Sequence, residues 1–220
     1  MSSNLKLRLI SSIVMIIFFI PTIFYFRTFF NIIICILALM MIYEWYKMGD
    51  KNSYYLFFVI IMCIVSFSTL MISYSDSKGL FLLTIISMIS AVDCCAMITG
   101  KIIKGPKLIP KISPNNTYSG FIGGIMGGSV IVTILTSIYS LNYFYKKEIN
   151  MWYIVLVTII LSIITQLSDL FISYFKRKFN CKDTGRIIPG HGGVIDRFDG
   201  YILTMPTIFF YLSYTHLIEI

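Results

Sequence analysis

Long apolar runs alternate with short polar segments along almost the whole chain. A helix needs about 17–25 largely apolar residues to cross a bilayer. Seven runs meet this requirement and predict transmembrane helices at Leu9–Phe26, Phe29–Tyr46, Tyr54–Ile72, Leu80–Ile98, Gly120–Leu141, Trp152–Tyr174 and Ile202–Ile218. The remaining residues suffice only for tails and loops. The pattern therefore predicts an all-α integral membrane protein, a polytopic helical bundle that forms a single domain over residues 1–220.

Composition and charge sharpen this interpretation. Of the 220 residues, 57% are hydrophobic and only 13% are charged, whereas soluble domains carry about 25% charged residues. This excludes a soluble enzyme, a disordered chain and a secreted disulfide scaffold. The net charge is nevertheless +8. Fourteen of the 18 Lys and Arg residues fall in the N-terminal tail and in loops on its side of the membrane, so the positive-inside rule predicts an N-in, C-out topology.

A stripe of polar residues runs along the sixth predicted span. Its members recur at steps of four, three, four and three, which places them on one face of a helix: Ser162, Gln166, Asp169, Ser173 and Lys176. Hydrogen bonds between helices would explain the serine and glutamine equally well. A carboxylate at membrane depth needs a cation, a basic partner or a proton, so Asp169 is a candidate functional residue.

The segment Lys176–Gly200 holds six basic residues, three aspartates and five glycines. The basic residues are also typical of a loop that contacts anionic lipid. The glycines indicate more, because backbone amides in such turns can bind phosphate. Asp196 and Asp199 are three residues apart and would share a helix face. They are either paired with Lys and Arg or available to Mg²⁺, which takes one or two carboxylates together with substrate phosphates.

A third polar region extends over Asp93–Gly124. Asp93 lies near the end of the fourth span, and four lysines follow it before Ser113 and Thr117. The glycines that open the fifth span are more typical of helix packing than of chemistry. The three regions together place carboxylates, basic groups and glycine turns at one membrane face, which suits phosphoryl or nucleotidyl transfer. No P-loop and no GxSxG motif is present.

The residues from Ser173 to Asp199 resemble the signature of the phosphatidate cytidylyltransferases, also called CDP-diacylglycerol synthases. The matching positions are Ser173, Lys176, Arg177, Lys182, Asp183, Gly185, Ile188, Pro189, His191, Gly192, Gly193, Val194, Asp196, Arg197, Phe198 and Asp199. Asp93, Ser113-Pro114 and Thr117 resemble a second block of that family. The resemblance covers roughly Asp93–Gly200.

The resemblance implies that phosphatidate attacks the α-phosphate of CTP to give CDP-diacylglycerol and pyrophosphate, with no protein nucleophile. It implies Mg²⁺, with a second cation beside it, and makes Asp169 and Asp196 the metal ligands. The implied catalytic residues are Asp169, Asp196, Lys182, Asp183, Arg197 and Asp199. The implied substrate-binding residues are Asp93, Ser113, Thr117, Ser173, Lys176, Arg177, His191, Gly192 and Gly193, with the basic groups on phosphates and the His-Gly-Gly turn near the nucleotide.

Further expectations concern organisation and partners. Residues 81–220 would carry the catalytic helices and two basic cytoplasmic loops, and residues 1–80 would serve as a scaffold or contact a second copy or lipid. We expect CTP, phosphatidate and the lipid bilayer as partners, a homodimer, and no nucleic acid. The expected location is a bacterial-type inner (plasma) membrane with the active site on the cytoplasmic side.

The second block departs from the family pattern, because its lysine pair is replaced by Asn115-Asn116. Outside that block, a usual Gly-Asp-Leu reads Ser168-Asp169-Leu170. Several alternatives stay open. A related CTP-dependent membrane enzyme, of the CDP-archaeol synthase or polyprenol kinase type, is one alternative. A small anionic-solute transporter and a catalytically inactive scaffold are others. The motif of CDP-alcohol phosphotransferases is absent.

Overall fold

The chain is a bundle of helices. The computed structural model describes residues 20–48, 54–76, 78–139, 150–185, 187 and 192–215. Residues 20–24 are helical. The helices that follow are α1 (Arg27–Met48), α2 (Tyr54–Ser75), α3 (Leu80–Ile102), α4 (Tyr118–Tyr139), α5 (Met151–Lys178), α6 (Ile195–Phe198) and α7 (Tyr201–Tyr214). Two strands, β1 (Lys107–Ile109) and β2 (Ser113–Thr117), lie between α3 and α4.

Five helices, α1 to α5, are long and apolar enough to cross a membrane. They correspond to the second to sixth predicted spans and confirm an integral membrane protein built mainly of helices. Most of the first predicted span lies outside the described residues. The last predicted span corresponds to α7, of which 14 residues are described. The count of seven spans and the N-in, C-out topology stay predictions.

The glycine face of α4 packs against α3. A methyl group added at Gly123 would lie 2.1 Å from Thr99 Oγ1, and one at Gly127 would lie 2.4 Å from Cys95 Sγ. Any side chain at these positions would therefore push the two helices apart. This confirms that the glycines at the start of the fifth predicted span serve helix packing.

An aromatic cluster joins the first two described helices to α5. The ring of Trp45 on α1 stacks on Phe58 of α2, with centroids 3.8 Å apart. The same indole meets the edges of Phe175 on α5 and Phe179 just beyond it. Trp45 is 2% exposed and Phe58 is fully buried. The cluster thus braces the end of α5 that carries Lys176.

The two strands form an antiparallel ribbon, which the hydropathy pattern does not predict. Lys107 pairs with Thr117, and Ile109 pairs with Ser113. The chain leaves α3 through Lys104 and Gly105, which have positive φ angles of 60° and 109°, and this reverses its direction. Arg177 Nε donates to the carbonyl of Ile112 at 3.1 Å. The ribbon is thereby attached to the end of α5.

Candidate active site

A cavity of about 800 Å³ opens between α3, the ribbon, α4, α5 and the turn that contains α6. Four carboxylates and three lysines line it: Asp93, Asp169, Asp196, Asp199, Lys101, Lys104 and Lys107. These residues come from all three polar regions that the sequence singles out. The fold therefore brings those regions together, as predicted.

The polar stripe of α5 reaches the cavity through Gln166 and Asp169. The helix is continuous over Met151–Lys178, so the spacing places the stripe on one face. Gln166 Nε2 donates to the carbonyl of Phe121 at 3.1 Å, which ties α5 to α4. Asp169 Oδ2 accepts a bond from Asn116 Nδ2 at 3.2 Å. Asp169 is thus the member of the stripe that presents a carboxylate to the cavity.

Asp196 is held from both sides of its carboxylate. Its Oδ1 atom forms a salt bridge of 2.9 Å with Lys176 Nζ, and both side chains are largely buried. Its Oδ2 atom accepts from the backbone amides of Thr184 at 2.9 Å and Gly193 at 3.2 Å, and from the Thr184 hydroxyl at 3.1 Å. Burial opposes the charge of Asp196, but these bonds outweigh it and hold its pKa below the ordinary value.

Asp199 faces the opposite electrostatic situation. Burial, together with the neighbouring carboxylates of Asp169 and Asp93, raises its pKa well above the usual range. Its side chain and that of Asp169 line the same cavity. The backbone of Asp199 is fixed by the buried hydroxyl of Ser168, which donates to its carbonyl and accepts from the amide of Leu203. Neighbouring buried carboxyl groups need a proton or a cation.

The donor set of the cavity fits Mg²⁺. Carboxylate oxygens are the hard ligands that this ion prefers, and it takes one or two of them while phosphates and water complete the octahedron. Among the described residues, no group of three or more His, Cys, Asp or Glu side chains is arranged to hold a metal unaided. Carboxylates of this kind would share Mg²⁺ with substrate phosphates and water.

Other residues predicted for the site lie around the cavity. Thr117 lines it and caps α4, where its Oγ1 accepts from the amide of Gly120 at 3.1 Å. Arg177 is exposed and bonds the carbonyls of Ile112 and Cys181. The remaining predicted residues that the structure describes are not among those lining the cavity: Ser113, Ser173, Lys176, Arg177, Lys182, Asp183, Gly192, Gly193 and Arg197. Lys176 and Gly193 contact the cavity indirectly, because both bind the carboxylate of Asp196. His191 lies outside the described residues.

Sequence reasoning missed two residues that the structure places in this network. Thr184 bonds Asp196 and is 6% exposed; as a threonine in a polar loop it carries no particular signal. Glu44 on α1 accepts a bond from the Thr184 hydroxyl at 3.2 Å and is 2% exposed. A lone carboxylate inside an apolar run, the signal that identified Asp169, also identifies Glu44.

Comparison with known proteins shows the family to which this chain belongs. The model of the cytidylyltransferase family matches residues 49–215. Proteins named phosphatidate cytidylyltransferase are 42% identical in Rickettsia bellii, over 94% of this chain and 90% of theirs, and 44% identical in Rickettsia typhi, over 94% and 91%. A protein of that name from Staphylococcus haemolyticus is 45% identical over 53% of this chain and 42% of its own. The chain belongs to the cytidylyltransferase family and is a nucleotidyltransferase of the membrane.

Proposed function

We propose that the protein is a CTP:phosphatidate cytidylyltransferase of phospholipid biosynthesis. A phosphate oxygen of phosphatidate attacks the α-phosphorus of CTP. The bond from that phosphorus to the oxygen that bridges to the β-phosphate breaks, and pyrophosphate leaves. The observation that carries the proposal is one cavity in which carboxylates and lysines of a membrane-spanning bundle face each other. The family membership and the named relatives support the same reaction.

The carboxylates would bind the metal, with Asp169 and Asp196 as its ligands and Asp199 as nearby support. When bound, Mg²⁺ supplies positive charge that offsets the charge on the phosphate oxygens. Lys176 keeps Asp196 ionised and oriented through their 2.9 Å salt bridge. No protein side chain has to act as the nucleophile, because the lipid phosphate fills that role. A second cation beside Mg²⁺ belongs to the same proposal.

The lysines of the cavity would attract and orient the triphosphate. Lys101, Lys104 and Lys107 line the same cavity as the four aspartates. Lysine ammonium groups bind phosphate as point charges. The cavity thus offers basic groups for the phosphates and carboxylates for the metal.

The basic residues of the loops also support a proposal for how the protein lies in the membrane. We place the cavity at the cytoplasmic face of a bacterial inner membrane, with seven spans, the N-terminus inside and the C-terminus outside. Ten of the 14 basic residues on the inner side occur in the two loops that hold site residues. The bilayer would present the phosphate of phosphatidate to the cavity while its acyl chains stay in lipid.

The N-terminal part is proposed as a scaffold for the catalytic helices. Trp45 and Phe58 brace the end of α5, which supports this role for residues 1–80. The same residues are proposed to contact lipid or a second copy in a homodimer. Residues 81–220 carry the catalytic helices and both basic loops.

A direct assay tests the proposed substrates. Purified protein in detergent, given CTP, Mg²⁺ and phosphatidate, should form CDP-diacylglycerol, identified by mass spectrometry, with one pyrophosphate released per lipid product. A polyprenol and an archaeal-type ether lipid acceptor should give far less product, and these two acceptors separate the related CTP-dependent enzymes from this one. Product no greater than in a reaction without enzyme would contradict the proposal.

A further inference from the structure

Glu44 is a buried carboxylate that belongs to none of the polar regions discussed for the site. It lies near the C-terminal end of α1, far from the site in sequence, and is 2% exposed. Its Oε1 accepts from the amide of Val194 at 2.9 Å, and its Oε2 accepts from the amide of Ile195 at 3.0 Å and the hydroxyl of Thr184 at 3.2 Å. None of its described partners is a cation. Among the described residues, the carboxylate is therefore stabilised by neutral donors.

Those donors all belong to the segment that orients Asp196. The amides of three successive residues divide between two carboxylates: Gly193 donates to Asp196, whereas Val194 and Ile195 donate to Glu44. The Thr184 hydroxyl lies 3.1 Å from Asp196 Oδ2 and 3.2 Å from Glu44 Oε2. Glu44 thus binds both ends of the segment, at Thr184 and at Val194 and Ile195.

Two glycines make this contact possible. A methyl group added at Gly185 would lie 2.5 Å from Glu44 Oε1, and one at Gly193 would lie 2.7 Å from Glu44 Oε2. A side chain at either position would displace the carboxylate from the backbone that it binds. The close fit indicates that Gly185 and Gly193 leave room for the Glu44 carboxylate, in addition to allowing the chain to turn.

We propose that Glu44 is a positioning residue for the metal site, one that fixes the start of α6 and thereby the direction of the Asp196 carboxylate. The inference rests on the proposed function, in which Asp196 binds the metal. It gives the N-terminal helices a specific part in the chemistry, because α1 supplies the group that holds the loop.

The test compares variants of nearly equal shape. Glu44→Gln keeps the volume but replaces one acceptor oxygen with an NH₂ group, which would face backbone donors. We expect Glu44→Gln to weaken Mn²⁺ binding, measured by electron paramagnetic resonance in the presence of CTP, by about 10- to 100-fold, since hydrogen bonds to charged groups have effects of this order. The Mg²⁺ concentration for half-maximal activity should rise in parallel. Glu44→Asp, which keeps the charge, should recover part of the loss.

A matched control separates positioning from stability. Asp76 is another buried carboxylate, 1% exposed, and it accepts from the amide of Leu82 at 2.8 Å. It lies in the turn between α2 and α3, at the opposite end of the bundle from the cavity. Asp76→Asn should lower the melting temperature without changing Mn²⁺ affinity. Wild-type Mn²⁺ affinity and Mg²⁺ dependence in folded Glu44→Gln would overturn the inference.

The outcomes remain distinguishable if a variant fails. If Glu44→Gln does not fold, Glu44→Asp decides instead, because it keeps the charge but withdraws the carboxylate by one methylene from the amides of Val194 and Ile195. Unchanged Mn²⁺ affinity in Glu44→Asp would then overturn the inference. A wild-type protein that makes no product would contradict the proposed function. An active wild type with an unaffected Glu44→Gln variant would contradict only the role of Glu44.

Discussion

Replacing Asp169 with asparagine is expected to lower turnover at least about 100-fold, since a metal-assisted step loses several kcal/mol of charge stabilisation when its ligand is removed. Asparagine preserves the shape of the side chain and can still accept the bond from Asn116. It removes the negative charge that the cavity offers to a cation. Turnover is measured from product formation with saturating CTP and phosphatidate.

Two further variants complete this test. Asp196→Asn should cause a loss of similar size, because it removes charge and weakens the salt bridge with Lys176. Glu148→Gln is the control, since Glu148 falls in a loop predicted on the opposite membrane face, and its activity should match wild type. A near-normal rate in Asp169→Asn would disprove its assignment as an essential ligand.

Removal of divalent cations is expected to bring product formation to the level of a reaction without enzyme. The four aspartates of the cavity offer the carboxylate ligands that Mg²⁺ prefers, and the ion would offset the charge on the substrate phosphates. The measurement is the initial rate after addition of excess EDTA, followed by addition of excess Mg²⁺, which should restore the rate.

The control for chelation is EDTA already saturated with Mg²⁺, which should leave the rate unchanged. Thermal unfolding measured with and without EDTA separates loss of chemistry from loss of fold. Activity that persists in excess EDTA would contradict metal dependence.

The helical part of the fold is accessible to sequence reasoning because apolar length is a strong signal. Five predicted spans match described helices that are long enough to cross a membrane. The ribbon is not predictable in this way. Its strands have three and five residues, and its geometry depends on a positive φ at Lys104, which no hydropathy pattern contains.

Some residues of the site are likewise predictable from helical spacing, whereas others are not. The stripe through Asp169 follows from helical periodicity, because one continuous helix carries it. The network around Asp196 depends on loop geometry that brings Thr184 and Gly193 to one oxygen atom. The partners of Glu44 are 140 to 151 residues away along the chain. Spacing within a short segment cannot reveal contacts of that range.

The departures from the family pattern have structural counterparts. Where the resembled block has two lysines, Asn116 donates an amide hydrogen bond to Asp169. Lys101, Lys104 and Lys107 line the same cavity and supply basic groups from other positions. Ser168, in place of a usual glycine, fixes the backbone of Asp199. Asn116 and Ser168, which differ from the family pattern, therefore both form hydrogen bonds with aspartates of the cavity.

The most direct test of cytidylyl transfer follows each phosphate of CTP. Purified protein is incubated with phosphatidate, Mg²⁺ and CTP labelled with ³²P at either the α or the γ position, and lipid is extracted into chloroform. We expect α-label in the lipid and γ-label in aqueous pyrophosphate. Label from the γ position in the lipid would indicate a kinase, and no label from the α position in the lipid would contradict the proposed reaction.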